Sequence, residues 1–209
     1  MWHKRGNMIL GDEDLKYYLE RKKLVVEQIS EKTIRENGLD LKIDNEIAIE
    51  KITKYKTTYD KLDEMTGYDY TVLIDSHNEE DVKNRFEKIK AIYNLNNPDD
   101  KPYFIIQPHS LNLLSTQEYV KFPDDLIGFC ALRSSVARHG FIAPITIVDA
   151  GFEGTLTIEV FYAGTRPFKL YVGDRFLHLI VEKTASPVRH PYVGIYKGQK
   201  GVRTPKCLD

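Results

Sequence analysis

The chain has 209 residues, 42% of them hydrophobic, and its 30 basic and 31 acidic side chains leave a formal charge of −1. That length favours one domain, alone or with an insertion, and no global basic excess exists to hold a nucleic-acid backbone. No stretch approaches the roughly 20 continuous apolar residues of a membrane helix, so neither nucleic acid nor membrane is an expected partner. The first residues, Met1 to Asn7, are charged without a following apolar run, and read as a short extension ahead of Met8 rather than a secretory signal. The two cysteines, Cys130 and Cys207, share no motif, and a chain without a cysteine framework is expected in a reducing cytoplasm. Cys130 lies in an apolar run and reads as a small core residue.

Residues 9–24 predict an amphipathic helix, with Asp12 as N-cap and Leu15, Tyr18 and Leu19 at helical spacing. Val25 and Val26 suggest a strand. Asn37-Gly38 marks a turn, and Leu39 to Ile43 then alternates as a half-buried strand does. Residues 51–101 differ in character, being rich in Lys, Asp, Glu, Asn and Tyr. Within them Val82, Phe86, Ile89 and Tyr93 share one helical face, predicting a helix over Glu79 to Leu95 capped by Asn78. The region reads as an insertion packed on a β core, either purely structural or a surface for a partner.

From 103 onward short apolar runs alternate with Gly, Pro and Asp. They cover Tyr103–Pro108, Leu111–Thr116, Glu118–Pro123, Leu126–Leu132, Phe141–Val148, Thr155–Ala163, Phe168–Val172 and Arg175–Glu182. Such spacing predicts a mainly β protein with few helices, built as a sandwich, roll or barrel. The tail from about 186 is rich in Gly, Lys and Tyr without periodicity. That suits a flexible lid over a ligand, and equally a frayed terminus.

Arg133-Ser134-Ser135-Val136-Ala137-Arg138 sets two arginines around two hydroxyls at the end of an apolar strand. Guanidinium forks, hydroxyls and backbone N–H groups can cradle phosphate, although the same residues occur at ordinary strand ends. Asp149-Ala-Gly-Phe-Glu-Gly154 is a turn leading into Thr155 to Phe161. Alternation puts Thr155, Thr157, Glu159 and Phe161 on one face of that strand. A carboxylate there needs a partner, a catalytic role or a wet face. Zinc deaminase chemistry needs His-x-Glu with Cys-x-x-Cys. The chain has no Cys-x-x-Cys, and its six histidines are scattered, so no zinc is expected. Neither a P-loop nor a Gly-x-Ser-x-Gly elbow occurs.

The order Arg-Ser-Ser-Val-Ala-Arg, Asp-Ala-Gly-Phe-Glu-Gly, Thr-Ile-Glu and a C-terminal Tyr-x-x-Gln-x-Gly resembles the dCTP deaminase family of the dCTP deaminase/dUTPase superfamily. Met8-Ile-Leu-Gly-Asp-Glu-Asp-Leu, Asn37 to Ile43, Phe104-Ile-Ile-Gln-Pro108 and Glu118 to Pro123 strengthen the likeness, most of all to archaeal members. The resemblance covers the chain except residues 1–7 and about 51–101. It implies a distorted β-roll of the dUTPase-like type in a homotrimer, with sites between subunits, and Mg2+ carried on the nucleotide triphosphate. It implies dCTP as substrate, deaminated to dUTP. A dUTP diphosphatase, a bifunctional enzyme and a non-catalytic nucleotide-binding protein are the alternatives.

By motif position the resemblance makes Glu159 the general acid/base and Arg138 its brace. Arg133, Ser134 and Ser135, with Val136 and Ala137 beside them, would hold phosphates from a neighbouring subunit. Asp149 would sit by the deoxyribose, and Thr157 and Ile158 would line the base pocket. Tyr192 and Gln199 would close over the ligand, with Lys197 as a phosphate contact where a family lysine is replaced by Ile195. The segment His139 to Val148 departs from the bacterial pattern, and with it the expectation for base choice.

Overall fold

The structure is a computed structural model that describes residues 8–51, 74–97 and 99–208. The start of the chain and residues 52–73 of the expected insertion lie outside the described residues.

Helix α1 (Asp12–Glu20) buries Leu15 and Tyr18 and carries Asp12, Glu13 and Asp14 in its first turn, where the helix dipole favours them. Its N-cap is Gly11, not the expected Asp12, whose carboxylate instead pairs with Lys16 at 3.3 Å. The short strands β1 (Met8–Ile9), β2 (Val25–Val26) and β3 (Ile34–Arg35) flank it. Asn37 closes the turn from β3 into β4 (Gly38–Glu50), with Arg35 paired to Gly38.

The segment predicted as one helix over Glu79 to Leu95 splits. Helix α2 (Glu79–Asn84) ends after 6 residues, with Asn78 as its expected cap accepting from Glu80 N and Asp81 N. Strand β5 (Phe86–Lys90) follows and pairs with β4, Glu46 opposite Lys90 and Glu50 opposite Phe86. The physical reason is competition for hydrogen bonds. A short isolated helix is marginal, whereas the second half of β4 offers a ladder that would otherwise be an open edge.

Strand β6 (Tyr103–Ile106) leads to β7 (Ser110–Lys121), one continuous strand where the sequence predicts two. Strand β8 (Leu126–Leu132) has the expected bounds and ends at helix α3 (Ser134–Ala137). The run predicted over Phe141–Val148 is two strands, β9 (Phe141–Ile142) on β11 (Glu153–Tyr162) and β10 (Thr146–Val148) on β8. Pro144 lies between them and has no N–H for a ladder. Strands β12 (Phe168–Tyr171) and β13 (Arg175–Lys183) complete the set, close to expectation.

The described strands form an eleven-stranded antiparallel sheet, ordered β10-β8-β13-β4-β7-β11-β9, with β1 on β13, β2 on β7, and β3 and β5 on β4. Strands β12 and β6 pair separately. The long sheet curls round a core that includes Leu39, Leu41, Ile47, Leu114, Ile158, Phe176, Leu177 and Leu179. This is the mainly β roll expected from the sequence.

The curl is made at irregularities. Register shifts occur in β4 between Ile43 and Ile47, and in β11 between Thr155 and Thr157. A backbone N–H beside the first and one within the second are met by side-chain acceptors of β7. Glu118 Oε2 accepts from Lys42 N at 2.8 Å, and Thr116 Oγ1 accepts from Leu156 N at 2.9 Å. Both side chains are fully buried. Lys42 Nζ stands 3.4 Å from Glu118 Oε1, an ion pair that does not complete a hydrogen bond to that oxygen.

Burial raises the Glu118 carboxyl pKa above its ordinary 4.5, against the opposing pull of the Lys42 N–H and ammonium. A carboxyl that binds its proton more tightly when folded stabilises the fold below its unfolded pKa. That contribution fades as pH rises through the folded value. The contribution of Glu118 to stability against denaturant is therefore expected to fall as pH climbs from about 4.5, by at most about 1.4 kcal/mol per pH unit. Glu118→Gln should flatten that decline in urea titrations from pH 4 to 8.

Candidate active site

Past its bulge β11 alternates strictly, with Ile158 and Val160 buried and Glu159 and Phe161 turned outward. Glu159 thereby faces a cleft of about 420 Å³. One wall is β11, with Thr157 and Glu159, and Ile158 borders it from the main core. Strand β10 and Asp149, at its end, form a second wall. The third is the C-terminal tail, through Tyr192, Tyr196, Gln199 and Arg203. Cys130 of β8 and Phe152 contribute at the cleft, and Arg85 and Phe86, after α2 and at the start of β5, enter it as well.

The turn after Asp149 is shaped to receive the tail. Gly151 has φ +83°, and a Cβ there would stand 2.4 Å from Pro191 Cβ. Any other residue would meet both backbone strain and that clash. Tyr192 N donates to Ala150 O at 2.8 Å, and the Phe152 and Tyr192 rings lie 5.6 Å apart. Farther on, Gly198 N donates to Glu153 O and Thr155 N to Gln199 O. Gln199 is buried, with Nε2 donating to Thr155 O at 2.6 Å and Oε1 without a donor among the described residues. The tail expected as a flexible lid is thus laid along β11 of its own chain.

Six expected site residues therefore meet in one cleft: Asp149, Thr157, Ile158, Glu159, Tyr192 and Gln199. Lys197 is exposed and does not line it. The Arg133 to Arg138 segment lies elsewhere. Arg133 caps the N-terminus of α3 and Arg138 its C-terminus, with Ser134, Ser135, Ala137 and Arg138 exposed and Val136 packed on the core. Arg138 is absent from the Glu159 cleft, and its side chain has no hydrogen bond or ion pair among the described residues.

Arg133 is fixed by a residue that sequence reasoning did not single out for the site. Asp40, on β4 and only 3% exposed, takes Arg133 Nε at 3.0 Å and Arg175 Nη1 at 2.9 Å on one oxygen. His178 Nδ1 lies 2.9 Å from the other oxygen. A buried carboxylate is tolerated only when paired in this way, and here it anchors the base of α3. Arg133, Ser135 and Val136 border a second, more basic cleft of about 570 Å³ that includes Lys42, Lys169 and Arg175. One chain thus separates a Glu159 cleft from a cationic, hydroxyl-bearing surface.

Tyr196, Cys130, Arg85 and Arg203 were also not singled out for the site. Only Tyr196 had a local signal, as the tyrosine of Tyr-x-x-Gln-x-Gly. Burial first, then Tyr192 and the Glu159 charge, raise the Tyr196 pKa and keep its phenol protonated. Burial, helped by the Glu159 charge, pushes the Cys130 thiol up to about 12. Since the thiolate is the nucleophile, Cys130 is chemically inert in the fold. Iodoacetamide at pH 8 should label Cys207 and spare Cys130, and mass spectrometry should find Cys130 labelled only after unfolding.

Among the described residues no three His, Cys, Asp or Glu side chains converge as a metal cage. No described helix is long and apolar enough to cross a membrane.

A family model described as "dCTP deaminase-like" matches residues 9–184. The chain is 44% identical over 206 residues to a dCTP deaminase of Sulfurisphaera tokodaii, covering 95% of this chain and 92% of that protein. It is 45% identical over 199 residues to a dCTP deaminase of Acidianus ambivalens, covering 95% and 98%. It is also 43% identical to a probable deoxyuridine 5'-triphosphate nucleotidohydrolase of Sulfolobus islandicus rod-shaped virus 1, covering 95% and 99%. Among solved structures, the 2'-deoxycytidine 5'-triphosphate deaminase from Agrobacterium tumefaciens has the same fold, with TM-score 0.57 at 15% identity. That match covers 86% of this chain and 49% of that one, so the chain spans about half its length. The β11 carboxylate, the Asp149 turn and the docked tail are accordingly those of a chain that belongs to the dCTP deaminase-like family.

Proposed function

We propose that the chain is a zinc-independent hydrolase that converts dCTP and water to dUTP and ammonia, with Glu159 as general acid/base. The observation that carries this reading is Glu159 itself, an exposed carboxylate on the wall of a cleft otherwise rich in apolar side chains. The archaeal relatives bearing the dCTP deaminase name support it.

In the proposed step Glu159 takes a proton from water as the oxygen bonds to C4 of the cytosine. The tetrahedral adduct then expels its amino group. Of the two water protons, one ends on N3 and the other on the departing amine, so uracil and ammonia leave with the carboxylate restored. Thr157 and Ile158 would hold the base, Asp149 the deoxyribose, and Tyr192 and Gln199 would close the site. Tyr196, kept protonated, is a further donor beside Glu159. Mg2+ would arrive on the triphosphate, which the Arg133 to Arg138 segment and Lys197 are suited to meet as cations.

Because Arg138 and Glu159 lie apart in one chain, the complete site needs a second copy, and a homotrimer is the assembly proposed. Exposed Ile142, Ile145 and Ile147 on and between β9 and β10, with Phe161 on β11, support such an interface. The probable nucleotidohydrolase relative and the presence of Asp149 in the same cleft favour dUTP hydrolysis as a second reading.

The purified protein with Mg2+ should form dUTP and ammonia from dCTP. Glu159→Gln should lower kcat by about 10²–10⁴-fold, the usual worth of a general base, with the fold intact by circular dichroism. Release of dUMP and pyrophosphate from dUTP, with no attack on dCTP, would overturn the deaminase reading. Binding of dCTP or dTTP without turnover would favour a non-catalytic role.

A site shared between copies makes a separate prediction. Glu159→Gln and Arg138→Ala, each inactive alone, should regain part of wild-type activity when unfolded together and co-refolded. No recovery in mixed oligomers would place the whole site in one chain.

A further inference from the structure

A Gly- and Lys-rich C-terminus has little reason of its own to be ordered. Yet Val202 is fully buried, in a small core separate from the main one, with Ala48, Phe86 and Leu113. Phe86 belongs to β5, so the inserted strand forms part of this receptacle. Lys88 of the same strand donates from Nζ to Val202 O at 2.7 Å. On the other side Thr155 Oγ1 donates to Gly201 O, and Arg203 N donates to Thr157 Oγ1 at 3.1 Å. Beyond them, Leu208 N donates to Ser76 O, just before α2.

The receptacle and the catalytic carboxylate share one face of the sheet. Lys88 pairs with Ala48, Ala48 with Leu113, and Leu113 with Glu159, forming a single cross-strand row. Directly paired residues point to the same side. A tail seated at the Lys88 end of that row is therefore held beside Glu159 at the other. Tyr196 and Gln199, shortly before Val202, and Arg203, immediately after it, all line the cleft.

We propose that β5 is a dock for the C-terminal tail of its own chain, and that Phe86, Lys88 and Val202 are positioning residues that set Tyr196, Gln199 and Arg203 at the cleft before nucleotide arrives. Its kinetic consequence rests on the proposed role of Glu159, but its structural part does not. Nucleotide that meets an already closed tail does not have to order it. When the competent state is depopulated, apparent affinity falls by the lost fraction while saturated turnover is kept.

The test uses the full-length protein without nucleotide, followed by hydrogen exchange read by mass spectrometry. Val202→Ser should speed exchange of the Thr155, Gly198 and Arg203 amides at least about tenfold and raise KM for dCTP by about tenfold, with kcat within about twofold. Val202→Ile should restore both. Lys88→Met, which removes the bond to Val202 O together with a 3.7 Å ion pair to Glu46, should move the same amides by about threefold and keeps the test readable if Val202→Ser does not fold. Glu159→Gln should lose kcat with tail exchange unchanged. Should Glu159→Gln retain full deamination while Val202→Ser still frees the tail, the catalytic assignment fails and the dock stands. Wild-type exchange in both Val202→Ser and Lys88→Met would overturn the dock, as would a loss in kcat at unchanged KM.

Discussion

A sheet that curls on itself cannot keep every ladder hydrogen bond, and an amide left unpaired in the core costs about as much as several good contacts gain. The chain meets this constraint on one strand. At the two places where β4 and β11 lose register, β7 presents Glu118 and Thr116, and their oxygens accept the freed amides of Lys42 and Leu156. Both acceptors are wholly buried, so neither competes with water. The halves of the sheet can then diverge without leaving a donor bare. The price of the arrangement is an acidic side chain in the core, eased by Lys42 but not fully satisfied.

The same bend divides the chemistry. Beyond the β11 bulge the alternation runs cleanly, turning Thr157 and Glu159 toward the tail and sending Ile158 and Val160 inward. On the other half of the sheet Asp40 gathers Arg133, Arg175 and His178 and ties α3 to β4 and β13. A carboxylate cleft and a cationic surface held apart on one rigid sheet cannot approach each other by small adjustments, since packed interiors resist such motion.

How much of this was legible in the sequence follows from the range of each interaction. Strand β8 and the Glu159 face were readable because alternation is a local rule, and Asp149 and Gln199 because their motifs occur in a recognisable order. The segment Glu79 to Leu95 reads as one helix in sequence because Phe86 and Ile89 fit two periods. At helical spacing they share a face, but in a strand they part, with Phe86 on the small core and Ile89 on the main one. Nothing local reveals that β4 offers an edge to β5. Asp40 was visible as an aspartate among leucines, but Arg175 and His178 lie 135 and 138 residues away. Arg85, Cys130 and Arg203 reach the cleft only through tertiary packing, and no single motif contains them.

The tail shows how a weakly patterned segment becomes ordered. Among the described residues its backbone forms one isolated bridge, between Gly154 and Gln199, and no extended ladder. What holds it is a series of point attachments: Tyr192 on the Asp149 turn, Gln199 on Thr155, Val202 in the β5 receptacle and Leu208 at Ser76. Each alone is modest, on the order of 1 kcal/mol for a hydrogen bond and somewhat more for a buried valine. Because the chain between them is short, closing one attachment raises the effective concentration of the next. The tail then behaves as a unit that is either seated or free. The seat that Phe86 of β5 completes for Val202 is thereby coupled to Tyr196, Gln199 and Arg203, which line the Glu159 cleft.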